Sequence, residues 1–89
     1  MAEDITEIIQ LANSLGAEEK KLLKLLRKVN AALPAELAVK SFLLPEEINQ
    51  TLRSLKEKEL INTERGANLP TGEVVYLSER GRLALQFLT

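Results

Sequence analysis

Four side chains between positions 49 and 56 have the chemistry to read the edges of paired bases. Asn49 and Gln50 carry amides that can pair in bidentate fashion with adenine, and Arg53 carries a guanidinium suited to guanine. Lys56 is suited to a phosphate, a contact that positions without specifying. On a helix whose buried side centres on Ile48, these four form one polar strip along the outward side and one flank. Two glutamates, Glu46 and Glu47, open the same segment, and three readings of them stand side by side. Acidic groups in a first turn favour the helix dipole, by about 0.3–1 kcal/mol each. Either glutamate can accept from a cytosine amino group. Or the pair repels a polyanion and marks a protein-binding surface. Arg53 and Glu57 are spaced to pair along the helix surface, which would contribute little. Lys40 and Arg65 are further candidate phosphate contacts, while Arg80 and Arg82 read as plain surface charge.

What the chain lacks narrows the chemistry. Its 89 residues contain no cysteine and no histidine, which removes disulfides, thiolate metal sites, the commonest zinc ligand and the commonest general base. No glycine-rich phosphate loop occurs, and the carboxylates fall at helix starts or on polar faces. An enzyme is therefore not expected, and no cofactor or metal is implied. Twelve basic and thirteen acidic side chains leave a net charge of −1, which argues mildly against a binder that relies on phosphate attraction alone. With two phenylalanines, one tyrosine and no tryptophan, a broad base-stacking platform is not expected. No apolar run approaches the roughly 18 residues of a membrane span, and the start lacks a basic leader, so the expected location is cytoplasmic.

Helical spacing dominates the first two-thirds. Asp4 can cap a helix over 4–15, with Ile5, Ile8, Ile9, Ala12 and Leu15 on one side and Gly16 as its stop. A second helix is predicted over 17–33, its stripe made by Leu22, Leu26, Val29 and Leu33 and widened by Leu23 and Leu25. Glu18 and Glu19 suit its first turn. Lys20, Lys24 and Arg27, with Lys21 and Lys28 beside them, read as a solvated face. Pro34 starts a short third helix, "PAELAVKSF", with Leu37, Ala38 and Phe42 inward. Pro45 starts a fourth, over 45–58, burying Ile48, Leu52 and Leu55. The three or four residues between the third and fourth force a steep crossing, as in a helix-turn-helix. The period then shortens. Residues 60–65 and 73–77 are β-compatible and flank "GANLPTG", which predicts a hairpin with a long loop. Ser78 caps a last helix over 79–88, burying Leu83, Phe87 and Leu88, in which Gly81 marks close packing.

"LAVKSFLLPEEINQTLRSLKEKELINTE" resembles the helix-turn-helix of the MarR, ArsR and PadR-like transcriptional regulators, through Ala38, Ile48, Leu52, Leu55 and "ELI" at 59–61. "YLSERGRLAL" resembles the end of the same domains, through Tyr76, Leu77, Ser78, Gly81 and Leu85. The resemblance covers roughly residues 22–88. It implies a mostly α protein with a small β-hairpin wing, a winged helix-turn-helix ordered as four helices, a hairpin and a helix. In domain terms the length predicts one unit over 1–89: an extra helix at 4–15 that lies outside the resemblance, a core at 18–77 and a terminal helix at 79–88. The resemblance further implies sequence-specific binding of double-stranded DNA through helix 45–58 and the wing at 60–77, as a transcriptional regulator. The candidate contacts are then Lys40, Glu46, Asn49, Gln50, Arg53, Lys56 and Arg65. Few phosphates are within reach of one domain, so a homodimer is expected, joined through 4–15, 79–88 or both. The departures are a turn without glycine, a wing with a single cation, and no residue able to carry the metal sensing of the ArsR relatives. They keep an alternative open: a winged helix used for protein–protein contact within a larger assembly.

Overall fold

A computed structural model of the protein describes residues 5–65 and 73–88. The predicted Asp4 cap and the wing loop at 66–72 lie outside the described residues. The order is α1 (Ile5–Ser14), α2 (Ala17–Val29), β1 (Ala31–Ala32), α3 (Pro34–Ser41), α4 (Pro45–Glu57), β2 (Ile61–Glu64), β3 (Val74–Leu77) and α5 (Glu79–Leu85). This is the winged helix-turn-helix architecture, mostly helical with a small antiparallel sheet.

One device starts three of the helices. No capping side chain precedes α2, α3 or α4, where Gly16, Leu33 and Leu44 stand. Instead a glutamate in the first turn reaches back to the free amide, as in half of a capping box. Gly16 N–H donates to Glu19 Oε1 at 3.0 Å, Leu33 N–H to Glu36 Oε1 at 3.1 Å, and Leu44 N–H to Glu47 Oε1 at 2.9 Å. Pro34 and Pro45 sit at the first positions of α3 and α4, where a missing N–H costs nothing.

The core is built around α2. Leu22, Leu23 and Leu26 are fully buried and form one apolar cluster with Leu37, Ile48, Leu55, Leu60 and Val75. Helix α1 packs on α5 at one end of this cluster. The sheet runs in the order β1-β3-β2, with Ile61 opposite Leu77 and Glu64 opposite Val74.

Several expectations are corrected. Helix α2 ends at Val29 and not at Leu33, because Asn30 takes φ 69° and returns its N–H to Leu26 O at 2.8 Å. That positive φ, with ψ −50°, is not helical, so the chain leaves the helix there. Ala31 and Ala32 then pair with Tyr76 and Val75, adding a third strand to the expected hairpin. Leu33 becomes the residue before α3. Phe42, predicted inward, is 90% exposed: its backbone turns left-handed (φ 63°) to end α3, and half-buried Leu43 packs on the core instead. Of the α1 stripe, Ile8, Ala12 and Leu15 are buried, whereas Ile5 and Ile9 face outward. In α4 the buried set is Ile48, Thr51 and Leu55, with Leu52 half-buried. In α5 it is Gly81, Ala84 and Leu85, with Leu83, Phe87 and Leu88 only partly covered. Arg80 is half-buried with Glu59 4.0 Å away, and is not plain surface charge. Among the described residues, no helix is long and apolar enough to cross a membrane.

Candidate nucleic-acid interface

Helix α4 is held on two sides, which leaves a third free. Ile48, Thr51 and Leu55 bury one side against the core. On the flank toward α2, Glu19 Oε2 accepts from Ser54 Oγ at 3.0 Å and from Lys58 Nζ at 2.7 Å. Partial burial pushes the Glu19 carboxyl up, but hydrogen bonds from Lys58, the Gly16 N–H and Ser54, together with the Lys58 charge, outweigh it. The net effect holds Glu19 below the ordinary glutamate value. Lys58 is thereby committed to the fold and withdrawn from any ligand.

The remaining side of α4 is exposed and carries Glu46, Asn49, Gln50, Arg53, Lys56 and Glu57. Asn49, Arg53 and Lys56, at spacings of four and three, line one groove of about 350 Å³ between α4 and the sheet. The opposite wall is made by Thr63 and Val75 of the wing strands and by Glu73, and Pro34 closes one end. Lys56 Nζ donates to Thr63 Oγ1 at 3.2 Å, so the last turn of α4 is tied to the wing. Arg53 and Asn49 have no hydrogen-bond or ion-pair partner among the described residues, and no ion pair joins Arg53 to Glu57.

The predicted residues divide into groups. Asn49, Arg53 and Lys56 come together. Gln50 is exposed on the same helix but does not line the groove. Glu46 is exposed at the head of α4, beside a Glu47 whose carboxylate is used by the backbone. Arg65 follows the end of β2 and is exposed. Lys40 stands apart, in a separate groove between α2 and α3. Thr63 is the residue the sequence reading missed. The period of two along β2 could have found it: Ile61 is buried, so the side chain two positions on shares its side of the sheet. On the other side of β2, Tyr76 OH donates to Glu64 Oε1 at 3.3 Å; desolvation and that carboxylate push the phenol up.

Chemically, the groove presents an amide, a guanidinium and an ammonium in a row, with a hydroxyl opposite. That set can donate to base edges and phosphates. It has no buried titratable group poised for proton transfer, and no cluster of three metal-ligating residues occurs among the described residues.

No family model and no curated protein sequence matches the chain. Solved structures do. A cysteine-to-serine mutant of ZitR from Lactococcus lactis is 25% identical with a TM-score of 0.75, over 82% of this chain and 49% of that one. ZitR is described as a zinc-responsive MarR family member. A cysteine-to-serine mutant of MarR from E. coli, solved in complex with operator DNA, is 20% identical with a TM-score of 0.79, over 92% of this chain and 58% of that one. BpsR of Bordetella bronchiseptica, whose DNA binding is regulated by 6-hydroxynicotinic acid, is 18% identical with a TM-score of 0.76, over 92% of this chain and 64% of that one. The chain thus spans about half to two-thirds of the length of these proteins, and what it shares with them is the winged helix-turn-helix fold of MarR-family regulators.

Proposed function

We propose that the protein binds double-stranded DNA as the winged-helix reading unit of a transcriptional regulator. The observation that carries this is the partnerless pair Asn49 and Arg53 in one groove with Lys56 and the wing, on the exposed side of the second helix of a helix-turn-helix. Asn49 and Arg53 read base edges in the major groove, Lys56 and Arg65 hold phosphates, and Gln50 and Glu46 stand at the margin of the contact. Structural likeness to MarR of E. coli, a protein solved with operator DNA, supports the reading.

Ile5 and Ile9 of α1 are 51% and 36% exposed, and a second copy would cover them. The protein therefore acts as a homodimer joined near α1 and α5, placing two α4 helices on two half-sites. The test is a duplex titration over a salt series with wild type and Arg53→Ala, with light scattering for stoichiometry. Binding that steepens as salt falls and weakens on Arg53→Ala supports the reading. Absent or salt-independent binding, or an indifferent Arg53→Ala, would overturn it. Glu46 and Glu73 lend a second reading its footing, a protein partner on this same face, and stable capture of that partner by a DNA-free sample would select it.

A further inference from the structure

A second cluster of positive charge lies outside α4. Lys21, Lys24 and Lys28 of α2 and Lys40 of α3 line a groove of about 210 Å³, floored by Leu25 and Ser41. In a chain of net charge −1, this places four ammonium groups around one concavity. None of the four has a hydrogen-bond or ion-pair partner among the described residues, and no carboxylate lines the groove. The two lysines at the end of α4 behave differently: Lys58 is paired to Glu19 and Lys56 is bonded to Thr63.

The groove shares no lining residue with the one that holds Asn49, Arg53 and Lys56. Pro34, Ala35 and Ala38 of α3 line a cavity with Pro45, Ile48 and Asn49 of α4, whereas Lys40 and Ser41 line theirs with α2. A duplex lying along α4 and the wing meets the first flank. The groove also lacks the means to read bases. The Ser41 hydroxyl is already engaged in both directions, donating to Ala38 O and accepting from Leu43 N, which leaves only ammonium groups over an apolar floor. Beside it in the chain, Val39 and Phe42 are 74% and 90% exposed. Phe42 also holds a left-handed backbone (φ 63°), which a bulky side chain seldom adopts.

We propose that this groove docks an acidic polypeptide segment of a partner protein, its carboxylates meeting Lys21, Lys24, Lys28 and Lys40 and its apolar side chains covering Leu25 and Phe42. Charge complementarity selects the partner: a segment with several carboxylates and interspersed leucines offers both halves of what the groove presents, and a phosphate chain offers only one. The regulator then has two faces, one for nucleic acid and one for an acidic protein, on opposite flanks of α3.

The probe is a fluorescein-labelled 14-residue peptide of glutamates interspersed with leucines, with a glutamine-for-glutamate version as control. Binding to the full chain is followed by anisotropy and by amide shifts. The expected result is binding of the glutamate peptide, with shifts at 21–28 and 38–43. It weakens at least about tenfold in the quadruple variant Lys21→Gln, Lys24→Gln, Lys28→Gln, Lys40→Gln, since four contacts of a few tenths of a kcal/mol each sum to that. Duplex affinity of the same variant stays within about twofold of wild type, and thermal melting confirms its fold. Lys40→Gln alone gives a graded loss that keeps the test readable if the quadruple variant does not fold. Equal binding of the control peptide, shifts confined to α4, or an unaffected quadruple variant would overturn the proposal. So would a duplex affinity that falls in step with peptide affinity, which assigns the lysines to the DNA footprint. Lysine-dependent binding to phosphatidylserine vesicles without peptide binding would overturn it in favour of a lipid surface.

Discussion

Adjacent glutamates at the head of α4 have different fates, and the difference bears on what Arg53 can do. Glu47 turns its carboxylate back to the Leu44 N–H, 2.9 Å away, so its position is explained by the helix. Glu46 is exposed on the side that carries Arg53, but the pair proposed to read bases begins at Asn49, one turn further on. Arg53 is therefore the residue whose loss should be felt. Arg53→Ala is expected to cost about 1–3 kcal/mol of duplex binding and to flatten preference at one base pair. A panel of single-base operator variants checks this, and a loss spread evenly over all sequences would reassign Arg53 to phosphate. Ser78 and Gly81 make a second residue-scale case. Ser78 Oγ accepts from the Gly81 N–H at 3.0 Å and donates to Glu59 O at 2.7 Å, closing the start of α5 onto the α4–β2 turn. Ser78→Ala is expected to lower stability by about 1–2 kcal/mol. A methyl at Gly81 would overlap the Leu60 carbonyl oxygen, so Gly81→Ala should cost about 1–3 kcal/mol, since backbone must move to admit it. Urea denaturation measures both. Close packing at Gly81 was legible in the sequence, because a glycine inside a helical pattern costs propensity without a reason of this kind. Asn30 and Phe42 were not legible. A helix that stops at a left-handed residue with apolar spacing continuing past it looks, in sequence, like a helix that goes on.

At the scale of elements, the apolar packing of α4 on α2 is joined by a polar tie through one carboxylate. Glu19 accepts from the Gly16 N–H, Ser54 and Lys58, so it caps α2 and ties it to α4 at once. A carboxyl held below its ordinary value adds stability above the unfolded-state value, and that stability is lost as pH falls through the lowered one. Melting temperature should accordingly drop from about pH 5 downward, and Glu19→Gln should lose stability at neutral pH while flattening that acid dependence. A Glu19→Gln profile parallel to wild type would show that other groups carry the acid limb. Strand β1 shows where element reading fails. Two alanines have no strand propensity, and they become a strand only because Tyr76 and Val75 present an open edge beside them. The four helices and the hairpin followed from period and proline placement. The third strand depends on contacts some 45 residues away in sequence, which no local pattern carries.

For the whole molecule, a net charge of −1 and a DNA-reading surface are compatible only if the positive charge is spent in few places. Six of the seven lysines fall into three populations: Lys58 locked to Glu19, Lys56 beside the wing, and the four around the α2–α3 groove. In the proposed binding mode, the described cations that meet a duplex on α4 and the wing are Arg53, Lys56 and Arg65. About three neutralised phosphates per chain give a plot of log K against log salt with a slope of about −3, and about −5 for a dimer on two half-sites, at about −0.9 per phosphate. Lys56→Ala should reduce that slope by about one per chain and weaken all sequences alike. Substituting the four groove lysines should leave it unchanged. A wild-type slope much steeper than about −3 per chain would place the groove under the duplex, because no other cluster of partnerless cations among the described residues is large enough to account for it. The slope thus measures how much of the molecule the DNA covers, and it distinguishes a reader with one positive face from a reader that keeps a second positive face for something else.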